Sequence, residues 1–142
     1  MENLKQLLAS DMDAVDAVIR TRLHSDVALV NQVGAYIINS GGKRLRPALV
    51  LLSAQAFGYT GKHQHDLAAV VEFIHTATLL HDDVVDESAL RRGRETSNAL
   101  FGNAASVLVG DFLYSRAFQM MVDVGEMRVM QTLADATNVI AE

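Results

Sequence analysis

Apolar residues recur at steps of three and four along nearly the whole chain, the spacing that places them on one face of an α-helix. The first such stripe consists of Leu4, Leu7, Leu8, Met12, Val15, Val18, Ile19 and Leu23. No segment alternates apolar and polar residues in the way that a half-buried strand does. The pattern therefore predicts an all-α fold in which residues 1–142 form a single helical region.

Turn-forming residues divide this pattern into separate helices. A second helix is capped by Ser25 or Asp26 and ends at Ser40-Gly41-Gly42, and Pro47 suits the first turn of a third helix. The third helix is apolar on almost every side over residues 48–57, so we expect it to be buried. Further helices are predicted over about 66–87, 97–102, 103–122 and from about 126 onward, with a loop over 91–94.

Composition narrows the class of protein. The chain has 142 residues, 50% of them apolar, which suffices for one domain with a sizeable core. Its net charge of −5 argues against a general nucleic-acid-binding role. The absence of cysteine excludes disulfides, thiol nucleophiles and cysteine-ligated metals. With no signal peptide and no long apolar run, we expect a cytoplasmic protein without a transmembrane segment.

An acidic cluster closes the fourth predicted helix. Asp82 and Asp86 are four residues apart and therefore share one helix face, and His75 lies on the same face two turns earlier, with Thr78 between them. Like charges at this spacing repel, whereas a divalent cation between them would stabilise both, and Mg²⁺ prefers carboxylate oxygens. On spacing alone, a solvated helix face explains these acids equally well.

A first basic cluster, Gly41-Gly42-Lys43-Arg44-Leu45-Arg46-Pro47, stands directly before a predicted helix start. The free N–H groups of a helix N-terminus and the cationic side chains of Lys43 and Arg46 can together bind phosphate. The cluster lacks the leading glycine and the Ser/Thr of a P-loop. A solvated basic turn is the alternative.

A second basic cluster, Arg91-Arg92-Gly93-Arg94, follows the acidic one. Its arginines could bind phosphate, or they could simply neutralise the neighbouring acids. The sequence thus combines an acidic face that could bind a metal ion with two cationic clusters and a long apolar helix between them. This combination suits a substrate with a diphosphate head and a hydrocarbon tail.

These motifs occur in an order and at a spacing that resemble the trans-isoprenyl diphosphate synthases. The resemblance is carried by residues 42–47, by Phe73 to Asp86, by Arg91-Arg92-Gly93 and by Gly110-Asp111-Phe112-Leu113. It implies an antiparallel helix bundle of the isoprenoid synthase type and a prenyltransferase that joins isopentenyl diphosphate to an allylic diphosphate. The resemblance is strongest to members that make octaprenyl diphosphate for quinone side chains. It further implies farnesyl diphosphate as the primer, and a homodimer.

The same resemblance assigns roles to individual residues. Asp82 and Asp86 would hold Mg²⁺ on the allylic diphosphate, assisted by Asp83. Arg91 would bind the allylic diphosphate, and the residues assigned to isopentenyl diphosphate are Lys43, Arg46, His75 and Arg92. Magnesium would help the allylic diphosphate to ionise, and the final proton would pass to the released diphosphate, so no side chain of this sequence is assigned to catalytic proton transfer.

Product length is predicted from small residues before the acidic cluster. Ala77 and Thr78 precede Asp82 by about 6–8 Å along the helix, where short-chain members of the family carry bulky aromatic residues. Small residues there predict an open tunnel and a long product. Met120, Met121 and Leu133 are candidates for a deeper floor, with ordinary core packing as the alternative.

The sequence departs from the family in one respect. The family has a second aspartate-rich motif on a later helix, and the later acids here form no such motif. We therefore expect the N-terminal half of an enzyme about twice as long, inactive by itself. A non-catalytic or regulatory subunit of a heteromeric prenyl synthase is one alternative. A metal-dependent phosphohydrolase built on His75, His81 and Asp82 is another.

Overall fold

The computed structural model describes residues 2–39, 42–91 and 93–142. Its elements in chain order are α1 Glu2–Leu23, α2 Ala28–Asn39, α3 Leu45–Ala56, α4 Gln64–Val85, β1 Leu90–Arg91, β2 Arg94–Glu95, α5 Ser97–Phe101, α6 Asn103–Val124 and α7 Met127–Ala141. The all-α prediction is confirmed. Ser40 and Gly41, predicted to end the second helix, lie outside the described residues. Within the described ranges, no helix has the length and apolar character that crossing a membrane requires.

Helix α4 is the centre of the bundle and packs against α1, α3 and α6. Its inward side chains Phe73, Ala77 and Leu80 repeat at steps of three and four and are at most 1% exposed. Helix α6 meets them with its own buried stripe, which consists of Val109, Leu113, Ala117, Met120 and Met121. This packing fixes the C-terminal end of α4, where the acidic cluster stands.

A glycine lets α6 approach that end of α4 closely. A Cβ atom on Gly110 would lie 2.4 Å from Nε2 of His81, so no larger residue fits there while the imidazole keeps its place. His81 Nε2 lies 3.2 Å from the carbonyl oxygen of Val107 and 3.3 Å from Oδ1 of Asp111. These contacts hold His81, the residue before Asp82, against α6.

The prediction of a loop over residues 91–94 is wrong, because β1 and β2 form a short antiparallel hairpin with Leu90 opposite Glu95 and Arg91 opposite Arg94. Gly93 has a φ of 76°, the left-handed conformation that tight hairpin turns require. Strands of two residues are too short to show an alternating pattern, so only the glycine at the turn could have indicated the hairpin.

The prediction that α3 is buried is also wrong for one of its faces. Helix α3 contacts α1 and α4, and its buried residues are Pro47, Ala48 and Leu51. Leu49 and Phe57 are 60% and 90% exposed. Because the described residues cover only one side of α3, its apolar composition does not translate into burial. Pro47 does lie in the first turn, as predicted.

Candidate functional site

The acidic cluster occupies the last turn of α4. Asp86 follows the helix with φ −82° and ψ −3°, and its backbone N–H donates to the carbonyl oxygen of Asp82 at 2.8 Å. The helical path therefore continues through Asp86, and the two side chains leave the same face, as the spacing predicted. Both residues are exposed, so their carboxylates are accessible to a ligand.

Asp83, between them, is only 3% exposed and has a different role. Its carboxylate accepts two hydrogen bonds from Arg91, one from Nε at 3.0 Å and one from a terminal nitrogen at 2.6 Å. The hydrogen bond with Asp83 raises the pKa of Arg91, burial opposes this, and the charges of Asp82 and Asp86 add to the rise. Arg91 thus neutralises one acid directly and lies within the electrostatic field of the other two.

The hairpin of β1 and β2, which carries Arg91 and Arg94, is held by contacts on two sides. The hydroxyl of Tyr36 on α2 donates to the carbonyl oxygen of Glu95 at 2.6 Å, and the guanidinium of Arg94 lies 5.2 Å from the centre of the Tyr36 ring. On the other side, the carbonyl oxygen of Ser88 accepts from Asn98 at 3.0 Å and from Thr96 at 2.8 Å. The sequence analysis named neither Tyr36 nor Asn98, because both act through contacts distant along the chain.

The basic turn before α3 lines a pocket of ≈ 340 Å³ between α2, α3 and α4. Lys43, Arg46 and His75 all line it, so the structure gathers three of the four residues predicted to bind isopentenyl diphosphate. Arg46 is 3.3 Å from His75, measured from a terminal guanidinium nitrogen to Nε2. Arg92, the fourth, lies outside the described residues.

An apolar cleft of ≈ 530 Å³ adjoins this pocket between α4 and α7. Arg46 and His75 line both spaces, and Asp82 lies at the wall of the cleft. Thr78 also lines the cleft, whereas Ala77 is fully buried in the core.

Of the residues predicted to form a deeper tunnel floor, one lines the cleft and the other two lie in the core. Leu133 lines the cleft, while Met120 and Met121 are each 1% exposed and belong to the core of α6.

The geometry of the acidic cluster limits how a metal ion could bind there. In the part of the chain that the structure describes, no three His, Asp or Glu side chains are grouped so that they could hold a metal ion. Two exposed carboxylates on one helix face fit Mg²⁺ as a partial ligand set, because this ion keeps water and substrate phosphate oxygens as its other ligands. A metallohydrolase would need protein ligands beyond Asp82 and Asp86, and His81 is engaged with α6 instead.

Comparison with known proteins identifies the class. The polyprenyl synthetase family model matches residues 27–142. Octaprenyl diphosphate synthase of Escherichia coli (strain K12) is 58% identical over 142 residues, all of this chain and 44% of that protein. Heptaprenyl diphosphate synthase component 2 of Geobacillus stearothermophilus is 34% identical over 94% of the chain and 42% of that protein.

Solved structures agree. The crystal structure of a decaprenyl diphosphate synthase from Rhodobacter capsulatus superimposes with a TM-score of 0.94 at 58% identity, covering 99% of this chain and 43% of that one. A polyprenyl synthase from Caulobacter crescentus, complexed with calcium and isoprenyl diphosphate, superimposes with a TM-score of 0.95 at 48% identity and the same coverage. The fold is that of a helical isoprenoid synthase. The chain belongs to the polyprenyl synthetase family, and it spans less than half the length of these relatives.

Proposed function

We propose that this chain carries the isopentenyl diphosphate pocket and the first metal-binding face of a long-chain trans-polyprenyl diphosphate synthase, acting in octaprenyl diphosphate synthesis for quinone side chains. The observation that carries the proposal is that Arg46 and His75 line both the basic pocket and the apolar cleft, with Asp82 at the wall of the cleft. A diphosphate and a hydrocarbon tail can thus bind side by side. The identity to octaprenyl diphosphate synthase supports the assignment.

Each group has a separate task in this reaction. Lys43 and Arg46 would hold the diphosphate group of isopentenyl diphosphate. Arg91, held in place by Asp83, would bind the allylic diphosphate. Asp82 and Asp86 would hold Mg²⁺, which when bound supplies electrostatic stabilisation of the leaving diphosphate. The Caulobacter relative was crystallised in complex with calcium and isoprenyl diphosphate, so that protein binds a divalent cation together with a prenyl diphosphate.

The partners and the location of the protein follow from the same proposal. The family resemblance supports farnesyl diphosphate as the primer, a homodimer and a cytoplasmic enzyme. Apolar walls in the cleft would exclude water, which would otherwise capture the reactive allylic group as an alcohol.

Binding of isopentenyl diphosphate to the chain tests this function. Replacing Arg46 with glutamine is expected to weaken binding about tenfold or more, because a charge-assisted hydrogen bond to the diphosphate is lost. Isothermal titration calorimetry measures the dissociation constant. Lys62→Gln, an exposed position outside the pocket, removes the same charge and should leave binding unchanged. Equal affinities for the unaltered chain and the Arg46 variant would contradict the assignment of the pocket.

A subunit role is the second candidate, and one comparison favours it. A relative at 34% identity is named as component 2 of a heptaprenyl diphosphate synthase. The present sequence also has only one aspartate-rich motif. On either proposal, we expect the 142 residues to give no turnover by themselves, because they carry one aspartate-rich motif where the family resemblance implies two.

The cleft makes a prediction about product length. In a chimera where this chain replaces the matching segment of the Escherichia coli relative, Thr78→Phe is expected to shorten the products, because Thr78 lines the cleft. Ala77→Phe is instead expected to cost about 1–3 kcal/mol of stability, because its side chain would overpack the core. Chromatography of the prenyl products and urea unfolding separate the two outcomes. Unchanged long products from the Thr78 variant would refute the tunnel.

The expected inactivity of the 142 residues has its own test. Turnover by this chain alone would refute its dependence on the remaining part of a longer enzyme or on a partner subunit.

A further inference from the structure

Arg44 has a backbone conformation that few residues with a side chain adopt. It stands at the start of α3 with φ 54° and ψ 35°, in the left-handed region. For a residue with a Cβ atom this region costs free energy, and the conformation persists only where surrounding contacts impose it. The basic turn is therefore held in shape by something outside its own backbone.

The side chain of Arg44 supplies the contacts. One terminal nitrogen donates to Oε1 of Glu72 on α4 at 2.9 Å, and the other is 3.5 Å from the carbonyl oxygen of Ile38 on α2. The guanidinium thus bridges two helices from the start of a third. The side chains of Arg44 and Glu72 are 25% and 13% exposed, so solvent weakens their attraction less than it would on the surface.

Glu72 presents an electrostatic problem for a pocket meant to bind an anion. It lines the same pocket as Lys43 and Arg46, where an unpaired carboxylate would repel a diphosphate. Its pairing with Arg44 offsets that repulsion, and Lys43 and Arg46 are the other cations that line the pocket. Two roles for Glu72 can therefore be distinguished. If Glu72 acts only through its charge, removing that charge should tighten diphosphate binding. If it acts by shaping the turn, the same change should weaken binding.

We propose that Arg44 and Glu72 are a positioning pair: their ion pair fixes the turn over residues 42–46 in the conformation that presents Lys43 and Arg46 to the diphosphate. Both residues of the pair line the pocket, and the role proposed for them is to shape the turn rather than to bind the diphosphate themselves. The inference rests on the proposed function, namely that isopentenyl diphosphate binds in this pocket.

The test is Glu72→Gln in the 142-residue chain, with isopentenyl diphosphate as the probe. Removing a negative charge from an anion pocket would by itself tighten binding, whereas loss of the positioning pair is expected to weaken it about tenfold. Arg44→Lys, which keeps the charge but cannot bridge both partners, should show a smaller loss. Asp13→Asn, an exposed acid on α1, controls for the change in net charge.

Hydrogen exchange of the backbone amides of residues 43–46 gives a readout that needs no ligand. Both variants should exchange faster there than the unaltered chain, with no change in α6. Tighter or equal binding by Glu72→Gln, or unchanged exchange at the turn, would overturn the positioning role. If the unaltered chain showed no saturable binding, the proposed function would fail, and the exchange data would still decide whether the pair shapes the turn.

Discussion

Replacing Asp83 with alanine is expected to lower the free energy of unfolding by about 2–4 kcal/mol, the largest effect of any single polar substitution proposed for this chain. Asp83 is 3% exposed, and its carboxylate accepts two charge-assisted hydrogen bonds from Arg91. Its removal leaves the guanidinium without this partner at the end of α4. The side chain of Arg91 is 33% exposed, so water compensates in part, which keeps the expected loss below that of a fully buried pair. Urea denaturation of the purified chain measures it.

The chain offers a matched control for this prediction. Arg22 and Asp123 form an ion pair with the same nitrogen–oxygen distance, 2.6 Å, but their side chains are 37% and 56% exposed. Asp123→Ala is expected to cost no more than about 1 kcal/mol, because water screens and replaces the interaction. If the two substitutions destabilised the chain equally, burial would not be the reason for the strength of the Asp83–Arg91 pair.

The sequence was sufficient for the helices, because they depend on local signals. Apolar spacing located the helices, and the family resemblance grouped Lys43 and Arg46 with His75, which the structure places around one pocket. The Arg44–Glu72 and Asp83–Arg91 pairs were not predicted as such. Each joins separate elements of the fold, and no local pattern distinguishes an acid that will be buried from one that stays in water.

Neighbouring positions on α4 illustrate the same limit. Ala77 and Thr78 were predicted together as tunnel residues, but adjacent residues on a helix point about 100° apart. Only Thr78 lines the cleft beside α7, and Ala77 lies in the core. Which of the two faces the cleft depends on where α7 packs. Likewise, the exposed side of α3 depends on which helices cover it, and composition does not contain that information.

Neutralising the acidic face with the double substitution Asp82→Asn and Asp86→Asn is expected to weaken Mg²⁺-dependent binding of farnesyl diphosphate by at least about 100-fold. A neutral amide oxygen is a much poorer ligand for Mg²⁺ than a carboxylate, and both carboxylates of the helix face are lost together. Calorimetry with and without Mg²⁺ measures the effect. Asp13→Asn combined with Asp135→Asn removes the same charge from two exposed positions and should not alter the magnesium dependence.

Stability measurements distinguish a metal site from a merely solvated helix face. Two acids four residues apart at the C-terminal end of a helix repel each other and the helix dipole, so without divalent cations the double variant should keep its stability to within about 0.5 kcal/mol or gain slightly. Adding Mg²⁺ with farnesyl diphosphate should raise the stability of the unaltered chain and not that of the variant, because only a ligand bound to the folded state shifts the unfolding equilibrium. Equal stabilisation of both chains would mean that Asp82 and Asp86 are ordinary solvated acids, and the diphosphate would then have to be held by the cationic residues alone.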